Sequence, residues 1–294
     1  MSSYQPSELA LSPDGRPYHI HVAGDELADN VILVGDPSRV AMFRPLFEEI
    51  SYESNNREIN LITGVAGGVP ITVLSTGMGC DNIDIVMTEL DAAANIVTSP
   101  GVTEKNAVHR RLNIIRLGTC GSLNPKADAG AVVASHYAIG LDGLMNYYQC
   151  NEYLFETGIA ESFAGHIGMP KTWAKPYCVR CDEDLFDIFA QQAYRGITVT
   201  APGFYGPQGR HIRLAPAIPD FIERAASFEW LNIPVTNLEM ETSAIYAFAR
   251  QLGHRALTLC LVIANRTTGK FINDYHAQMQ ELIDFTVKRF SFKP

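Results

Sequence analysis

Short apolar runs bounded by glycine or polar turn residues recur along the whole chain. They lie at residues 31–34, 59–64, 69–76, 113–117, 131–138, 196–200, 235–238 and 256–264. Runs of this length are typical of strands buried in a sheet, and the pair that flanks Gly67-Gly68 predicts a hairpin. The chain is therefore predicted to contain a large, mostly buried sheet.

Apolar residues at helical spacing follow several of these runs. After Gly77-Met78-Gly79, one face of a predicted helix carries Ile83, Val86, Met87, Leu90, Ala94 and Val97. The same periodicity predicts helices at residues 40–49, 182–194 and 279–290, and another that begins near residue 241. Strands that alternate with helices indicate an α/β fold.

One charged residue interrupts the apolar run at 113–117. Arg116 has apolar neighbours and lies just before Gly118-Thr119-Cys120-Gly121, a turn where the backbone can approach a ligand closely. An unpaired charge in apolar surroundings is costly, so Arg116 needs a carboxylate or a phosphate as partner. A structural salt bridge and a bound anion both meet this need, and the stretch alone leaves the two open.

A second turn favours the bound anion. Gly35-Asp36-Pro37-Ser38-Arg39 follows the first buried run and begins a predicted helix, where backbone N–H groups can hold an oxyanion. Pro37 has a purely structural explanation there, but a cation at the positive end of a helix does not. Arg39 is better placed if it faces a bound anion.

Two further stretches carry side chains that suit an organic ligand. Between Gly203 and Arg210, glycines and a proline hold the ring of Phe204, the amide of Gln208 and the guanidinium of Arg210. This set suits a planar heterocycle, because the ring can stack and the amide offers a donor and an acceptor. Glu241 falls on the apolar side of its predicted helix, where a carboxylate needs a buried donor such as a sugar hydroxyl.

Size and charge narrow the class of protein. With 294 residues and 47% hydrophobic content, the chain can bury one large core, so we expect a single domain over 1–294 with an N-terminal arm at 1–17. The net charge of −9 argues against nucleic acid as a partner. The longest nearly apolar run, 256–264, is far shorter than the roughly 20 residues that span a bilayer, so no membrane partner is expected.

The cysteines and glycines argue against several cofactors. Six cysteines spread along the chain do not resemble a disulfide scaffold, which indicates reduced thiols and a cytoplasmic location. Cys178 and Cys181 have metal-like spacing, but no second pair follows at a zinc-site interval. The chain has neither the dinucleotide fingerprint nor a phosphate-loop lysine. We therefore expect neither a metal nor an organic cofactor.

Five motifs, in this order along the chain, resemble the nucleoside phosphorylase family and most closely its uridine phosphorylases. They are Gly35 to Arg39, Gly77-Met78-Gly79, Arg116 to Gly121, Phe204 to Arg210 and Asn237 to Glu241, within a match from about His19 to the last helix. Any one motif is weak, but five in order are specific. The resemblance implies a three-layer α/β/α fold around a mixed sheet that closes partly into a barrel, assembled as a homodimer or as a ring of dimers such as a hexamer.

The resemblance also implies a role for each candidate site residue. Phosphate, a co-substrate, would be held by Gly35, Arg39, Arg116 and Thr119, with Arg57 of the partner subunit. The ribose would contact Met240 and Glu241, with His19 of the partner subunit at its 5′ end, and Phe204, Gln208 and Arg210 would bind the base. Arg116, Glu241, Arg210 and Gln208 would form the catalytic set. Some members of the family hold a cation at the subunit interface, and Glu58 would be its ligand.

The reaction that the resemblance implies is the reversible phosphorolysis of uridine to uracil and ribose 1-phosphate, in pyrimidine salvage. A purine nucleoside phosphorylase is the nearest alternative, but bacterial purine members place an aspartate where this chain has Ala264. A hydrolytic nucleosidase would not need Arg39, Arg57 and Arg116, and a non-enzymatic relative would have lost site residues. The chain is longer than typical bacterial members, with the extra length at 98–112 and 144–181. These segments would block assembly into a ring, which favours a dimer. Segment 144–181 is either a lid over the pocket or a plain insertion.

Overall fold

The computed structural model describes residues 4–99, 102–105 and 108–291. The strands are β1 (Asn30–Val34), β2 (Phe47–Asn56), β3 (Ile59–Ala66), β4 (Val69–Ser75), β5 (Ile96–Ser99), β6 (Val102–Lys105), β7 (Asn113–Ser122), β8 (Val132–Gly140), β9 (Tyr177–Arg180), β10 (Tyr194–Thr200), β11 (Glu229–Trp230), β12 (Ile233–Glu239) and β13 (Arg255–Asn265). The α-helices are α1 (Pro37–Phe43), α2 (Cys80–Asn95), α3 (Thr157–Ile167), α4 (Glu183–Phe189), α5 (Phe221–Ser227), α6 (Thr242–Leu252) and α7 (His276–Phe290). Short 3-10 helices span Arg44–Leu46, Leu144–Tyr147, Glu152–Leu154 and Gly206–Gln208.

The strands form a mixed sheet that closes on itself at one end. The order is β11-β12-β10-β8-β13-β7-β1-β4-β3-β2, with β9 beside β8, and β12 also pairs with β7. This pairing places Leu238 opposite Gly121 and Asn237 opposite Ser122. The strands β7, β13, β8, β10 and β12 therefore close into a barrel, while β1, β4, β3 and β2 extend from β7 as an open sheet. With helices around it, this sheet confirms the predicted α/β/α fold with a partly closed barrel.

Strand β7 lies where the open sheet meets the barrel. It pairs in parallel with β1 on one side and with β13 on the other, and Arg116 lies between Leu33 and Thr258. Its apolar residues Ile114, Ile115 and Leu117 are fully buried. The run that carries Arg116 is thus a central strand, as its apolar pattern predicts.

The predicted helix at 40–49 is wrong in its second half. Helix α1 ends at Phe43, a 3-10 turn follows, and β2 begins at Phe47 and pairs antiparallel with β3. Pro45 lacks the N–H group that a continuing helix needs, so the helix cannot extend past it. Beyond this turn, polar and partly buried residues alternate, as in a strand with one solvated face.

The two segments of extra length differ in structure. Within 98–112, the strands β5 and β6 form a hairpin, and residues 100, 101, 106 and 107 lie outside the described part of the chain. Within 144–181, α3 buries Ile159 and Phe163 in the core, and β9 pairs with β8. Within segment 144–181, α3 and β9 are therefore part of the core of the fold.

Residues 4–17 of the predicted arm fold back on the chain, and residues 1–3 lie outside the described part. Leu11 bridges Pro17, and the Arg16 guanidinium lies 5.4 Å from the ring centroid of Tyr52. Among the described residues, no helix is long and apolar enough to cross a membrane. The six cysteines all have described positions and are free thiols.

Candidate active site

A cavity of about 520 Å³ opens where β1, β4, β7 and β12 end. All five motifs contribute to its wall. The candidate residues that line it are Gly35, Arg39, Arg116, Thr119, Phe204, Gln208, Arg210, Met240 and Glu241. Residues more than 200 positions apart in sequence therefore meet in one cavity. The parallel strands β1, β4, β7 and β13 end at the same edge of the sheet, and the closed barrel brings the end of β12 antiparallel against the end of β7.

Arg116 reaches the cavity because the residue two positions along β7 has no side chain. A Cβ atom on Gly118 would lie 1.7 Å from Nη1 of Arg116, so only glycine leaves room for the guanidinium. The Arg116 side chain is 5% exposed, and it forms an ion pair with Glu241. Its Nη1 lies 3.7 Å from the Cys260 sulfur, and its Nε is buried without a hydrogen-bond partner.

Glu241 joins three parts of the chain at one carboxylate. One oxygen accepts the Gly79 N–H group at 2.8 Å, and the other accepts a hydrogen bond from Arg116. Gly79 has φ of 96°, a left-handed conformation that favours glycine and turns its N–H toward Glu241. Burial raises the pKa of Glu241, and the opposite charge of Arg116 offsets part of this rise. Arg116 thus has a protein carboxylate as partner, as its salt-bridge interpretation predicts.

Glu239 holds the start of α6 in place. Its Oε2 accepts the N–H groups of Glu241 and Thr242, each at 2.9 Å, and its Oε1 accepts the Thr200 hydroxyl at 2.6 Å. A carboxylate at a helix N-terminus satisfies N–H groups that have no partner within the helix. Glu239 therefore fixes the backbone from which Glu241 reaches Arg116.

The turn after β1 supplies the other cation of this end of the cavity. The Asp36 side chain caps α1 by accepting the Ser38 N–H at 2.8 Å, and Arg39 follows in the first turn. Arg39 is only 9% exposed, and its Nη2 lies 3.3 Å from the Tyr275 hydroxyl. No carboxylate of the described residues lies within 4 Å of its guanidinium, so its charge is available to a ligand.

The loop at 203–210 forms the opposite end of the cavity. The Arg210 guanidinium carbon lies 3.8 Å from the ring centroid of Phe204, and its Nη1 donates to the Gln208 amide oxygen at 2.8 Å. Gln208 is 3% exposed, whereas Phe204 is 48% exposed. Burial and the nearby charge of Arg266 lower the pKa of Arg210 to about 10. A ring, an amide and a cation therefore line one end of the cavity.

Two candidate residues lie outside this cavity. His19 and Arg57 line a separate small depression, and Glu58 lines both. The backbone N–H and side chain of His19 both contact Glu89. Arg57 has φ of 56°, in the left-handed region, and its side chain is 57% exposed. Within one chain, the structure therefore does not bring His19 and Arg57 to the other site residues.

One group of side chains has donor atoms at metal-like distances. The ligand atoms of Asp91, His109 and His254 lie within 4.8 Å of one another. Nδ1 of His254 accepts the Leu112 N–H at 3.2 Å, and its Nε2 lies 3.2 Å from Asp91 without forming a hydrogen bond. Nε2 of His109 lies 2.8 Å from the Leu252 backbone oxygen, so one ring nitrogen of each histidine is engaged by the backbone.

Comparisons with known proteins agree with this architecture. A profile described as the phosphorylase superfamily matches residues 29–288, which include every strand and most of α7. The chain belongs to this superfamily.

Similar members of the superfamily are known by sequence and by structure. The uridine phosphorylase of Thermococcus kodakarensis is 29% identical over 265 residues, which cover 90% of this chain and 83% of the relative. The guanosine phosphorylase of Halorubrum lacusprofundi is 24% identical, with 85% and 84% covered. A crystal structure of Trypanosoma brucei nucleoside phosphorylase, described as showing uridine phosphorylase activity, matches with TM-score 0.82 and 29% identity, covering 96% of this chain and 98% of that one.

Sequence reasoning missed two residues that shape this superfamily member's cavity. Arg266 follows β13 and donates from Nη1 to the Gln208 backbone oxygen at 3.1 Å, which holds the loop at 203–210. The other is Glu239, described above. Arg266 could have been identified from the sequence, because it is an arginine directly after a buried strand. Arg39 was identified from its similar position after β1. The helix-capping role of Glu239 gave no such signal.

Proposed function

We propose that this chain catalyses the reversible phosphorolysis of uridine to uracil and ribose 1-phosphate, within pyrimidine salvage in the cytoplasm. One observation carries the proposal. One cavity is lined by Arg39, Arg116 and Thr119 together with Glu241, Gln208 and Arg210. The arginines near Thr119 suit an inorganic oxyanion, the Glu241 carboxylate suits sugar hydroxyls, and the amide and guanidinium of the 203–210 loop suit a pyrimidine. The similar uridine phosphorylases support this assignment.

The chemistry follows from where charge develops. As phosphate attacks the anomeric carbon, positive charge grows on the ribose ring and negative charge on the departing uracil. Phosphate and the Glu241 carboxylate face the positive centre, while Gln208 and Arg210 stabilise the leaving base. Although Glu241 already accepts from Gly79 and Arg116, its two oxygens keep lone pairs for ribose hydroxyls. These residues need no metal or organic cofactor for these steps.

Arg116 links the phosphate and ribose ends of this proposed site. Its Nη2 is paired with Glu241, while its Nη1 lies 3.7 Å from the Cys260 sulfur and 3.9 Å from Glu239 Oε2, too far for a strong hydrogen bond to either. We assign Nη1 to a phosphate oxygen, which would let one guanidinium bind the nucleophile and orient the carboxylate that holds the sugar. The sequence left two alternatives for the partner of Arg116, a salt bridge or a bound anion. In this assignment Arg116 makes both contacts, one through each terminal nitrogen.

The charge of the cavity supports a second copy of the chain as partner. Arg39, Arg116 and Arg210 are opposed by Asp36, Glu58, Glu239 and Glu241 on the cavity wall, so full ionisation leaves a net charge of 3 − 4 = −1. A phosphate dianion needs a more positive site. Arg57, exposed and outside its own cavity, is available to the cavity of a second copy, as is His19. A homodimer is therefore the proposed assembly, with a hexamer as the larger alternative.

Two features distinguish the proposed reaction from its alternatives. Ala264 lines the cavity where the purine members' aspartate would protonate the leaving base, so this chain has no acid at that position. Arg39 has no carboxylate partner, which suits an anionic nucleophile better than water. Both features favour phosphorolysis of a pyrimidine nucleoside.

The test compares uridine with inosine, each with and without inorganic phosphate, and measures release of the base. We expect turnover of uridine only when phosphate is present. Preferred turnover of inosine would support the purine alternative, and turnover without phosphate would support the nucleosidase.

A substitution tests the base end separately. Gln208→Ala removes the amide that faces the base, and the loss of one such preorganised contact lowers kcat/KM on uridine about a hundredfold or more. Gln280→Ala, on the outer face of α7 where Gln280 contacts Asp284, is the matched control and should leave the rate unchanged. Unaltered kinetics in a folded Gln208→Ala protein would remove Gln208 from the site.

A further inference from the structure

A second polar cavity lies at the opposite end of β13 from the candidate active site. Its volume is about 370 Å³, and its wall includes Arg255 and Ala256 at the start of that strand. Ala264, near the end of the same strand, lines the active-site cavity. Ala264 is nine positions after Arg255, which separates the two cavities by roughly 30 Å at about 3.3 Å per residue. No residue of the proposed reaction lines this second cavity.

Arg250 faces this cavity with an unpaired charge. It is partly buried at the end of α6, and within the described chain no carboxylate lies within 4 Å of its guanidinium. Burial lowers its pKa, the like charge of Arg180 lowers it further, and the carboxylates of Glu156 and Asp182 oppose this lowering. A bound anion would offset the cost of burying this charge.

The other arginines of the cavity also retain free donors. Arg111 uses its Nε for the Gly253 backbone oxygen at 3.2 Å, which leaves both terminal amino groups of its guanidinium. Arg180 lies 3.5 Å from Glu156 and 3.8 Å from Glu183, distances beyond an ordinary hydrogen bond.

Arg255 is paired with carboxylates, as Arg180 is. Its Nη2 donates to Asp184 at 2.9 Å, and its Nε lies 3.6 Å from Asp182. Among the described residues, the arginines of this wall with no carboxylate within 4 Å are therefore Arg111 and Arg250.

We infer that this cavity binds a sugar phosphate, with its phosphoryl group between Arg111 and Arg250. Guanidinium groups match the oxygen spacing of a phosphoryl group and bind it with charge-assisted hydrogen bonds. The carboxylates of Glu183 and Asp184 on the same wall are 51% and 69% exposed, and they can accept from sugar hydroxyls. The volume exceeds that of a bare oxyanion, which leaves room for the sugar.

Calorimetric titration of the full-length protein with ribose 5-phosphate tests the inference. The Arg39→Gln variant removes the proposed active-site phosphate contact, and we expect it to keep a binding event for this probe. Adding Arg250→Gln in that background should weaken the event about tenfold to a hundredfold, the effect of losing a charge-assisted hydrogen bond. Arg44→Gln, an equal change of charge at an exposed ion pair with Glu53, should not weaken it.

Further measurements identify the class of ligand and test whether the variants are folded. Ribose should not bind, and inorganic sulfate should bind more weakly than ribose 5-phosphate. Arg111→Gln, at an exposed residue, should reproduce the weakening, and Arg250→Gln alone should keep the wild-type rate on uridine. The inference is overturned if Arg39→Gln binds no ribose 5-phosphate, if Arg44→Gln weakens binding as much as Arg250→Gln does, or if sulfate binds as tightly as the probe. None of these outcomes depends on the reaction at the first cavity.

Discussion

Replacing Glu241 by alanine should cost more stability than any substitution at an exposed ion pair of this chain. Glu241 and Arg116 have side chains that are 6% and 5% exposed, so neither charge can regain water when its partner is removed. The substitution also removes the acceptor of the Gly79 N–H group.

The size of the loss follows from these contacts. Removing one partner of a buried ion pair costs about 3–5 kcal/mol, because the remaining charge stays buried and unpaired. Glu239 Oε2 lies 3.9 Å from Arg116 Nη1 and offsets part of the loss, so we take the lower end, about 3 kcal/mol. The orphaned Gly79 N–H adds about 1 kcal/mol, which gives about 4 kcal/mol for Glu241→Ala and about 3 kcal/mol for Glu241→Gln.

Urea denaturation at pH 7 and fixed protein concentration measures these differences. Glu53→Ala, which breaks the exposed pair between Arg44 and Glu53, is the matched control and should cost less than about 1 kcal/mol. The reasoning is refuted if Glu241→Ala loses no more stability than Glu53→Ala, since the pair would then be effectively solvated.

The reciprocal substitution adds a dependence on pH. In Arg116→Met, the pKa of Glu241 rises further above the usual 4.5, because the opposing cation is gone and burial remains. A folded-state pKa above the unfolded value stabilises the folded protein below pH 4.5, and this contribution is lost as pH rises through the folded pKa. The penalty of Arg116→Met, measured against wild type, should therefore be smaller at about pH 5 than at about pH 8.

Two further predictions concern the ends of the cavity. Gly118→Ala should displace the Arg116 guanidinium, since the new Cβ would lie 1.7 Å from its Nη1, and we expect at least a hundredfold lower kcat/KM on uridine. Gly165→Ala, with open space at its Cβ, should keep full activity and contradicts the steric argument if it does not. KM for uridine should rise as pH passes about 10, where Arg210 loses its charge. Arg266→Gln should move that rise to higher pH, and an unmoved profile would exclude Arg266 as the cause.

Eight of the thirteen strands of the described residues, and most of the cavity wall, could be predicted from local sequence. The apolar run around Arg116 predicts a buried strand, and the glycines after β1 and β4 predict places where side chains can meet a ligand. The turn predicted at Gly118 to Gly121 is wrong, because these residues continue β7. Nine of the eleven candidate residues line one cavity. Four of them lie on or after the parallel strands β1 and β7, and the closure of the barrel brings in the five from the loop at 203–210 and the end of β12.

What could not be predicted depends on contacts between distant segments. Arg116 and Glu241 are 125 positions apart, and no local pattern indicates that they pair. The change from α1 to β2 depends on pairing with β3, which outweighs the helical pattern at 40–49. Whether His19 and Arg57 complete the cavity of a second copy depends on packing between chains, which a single sequence does not encode locally.

The closure of the barrel has a consequence for motion. The ladder between β12 and β7 has two residue pairs, Leu238 with Gly121 and Asn237 with Ser122, and the Thr236 backbone oxygen also accepts from the Leu123 N–H and the Ser122 hydroxyl. The strand carrying Thr119 and the strand leading to Glu241 meet at this short seam, so brief opening of the seam would separate the nucleophile's subsite from the sugar's. Amide exchange at these positions should therefore slow when phosphate and a nucleoside analogue are bound, because the two ligands would hold the two strands together.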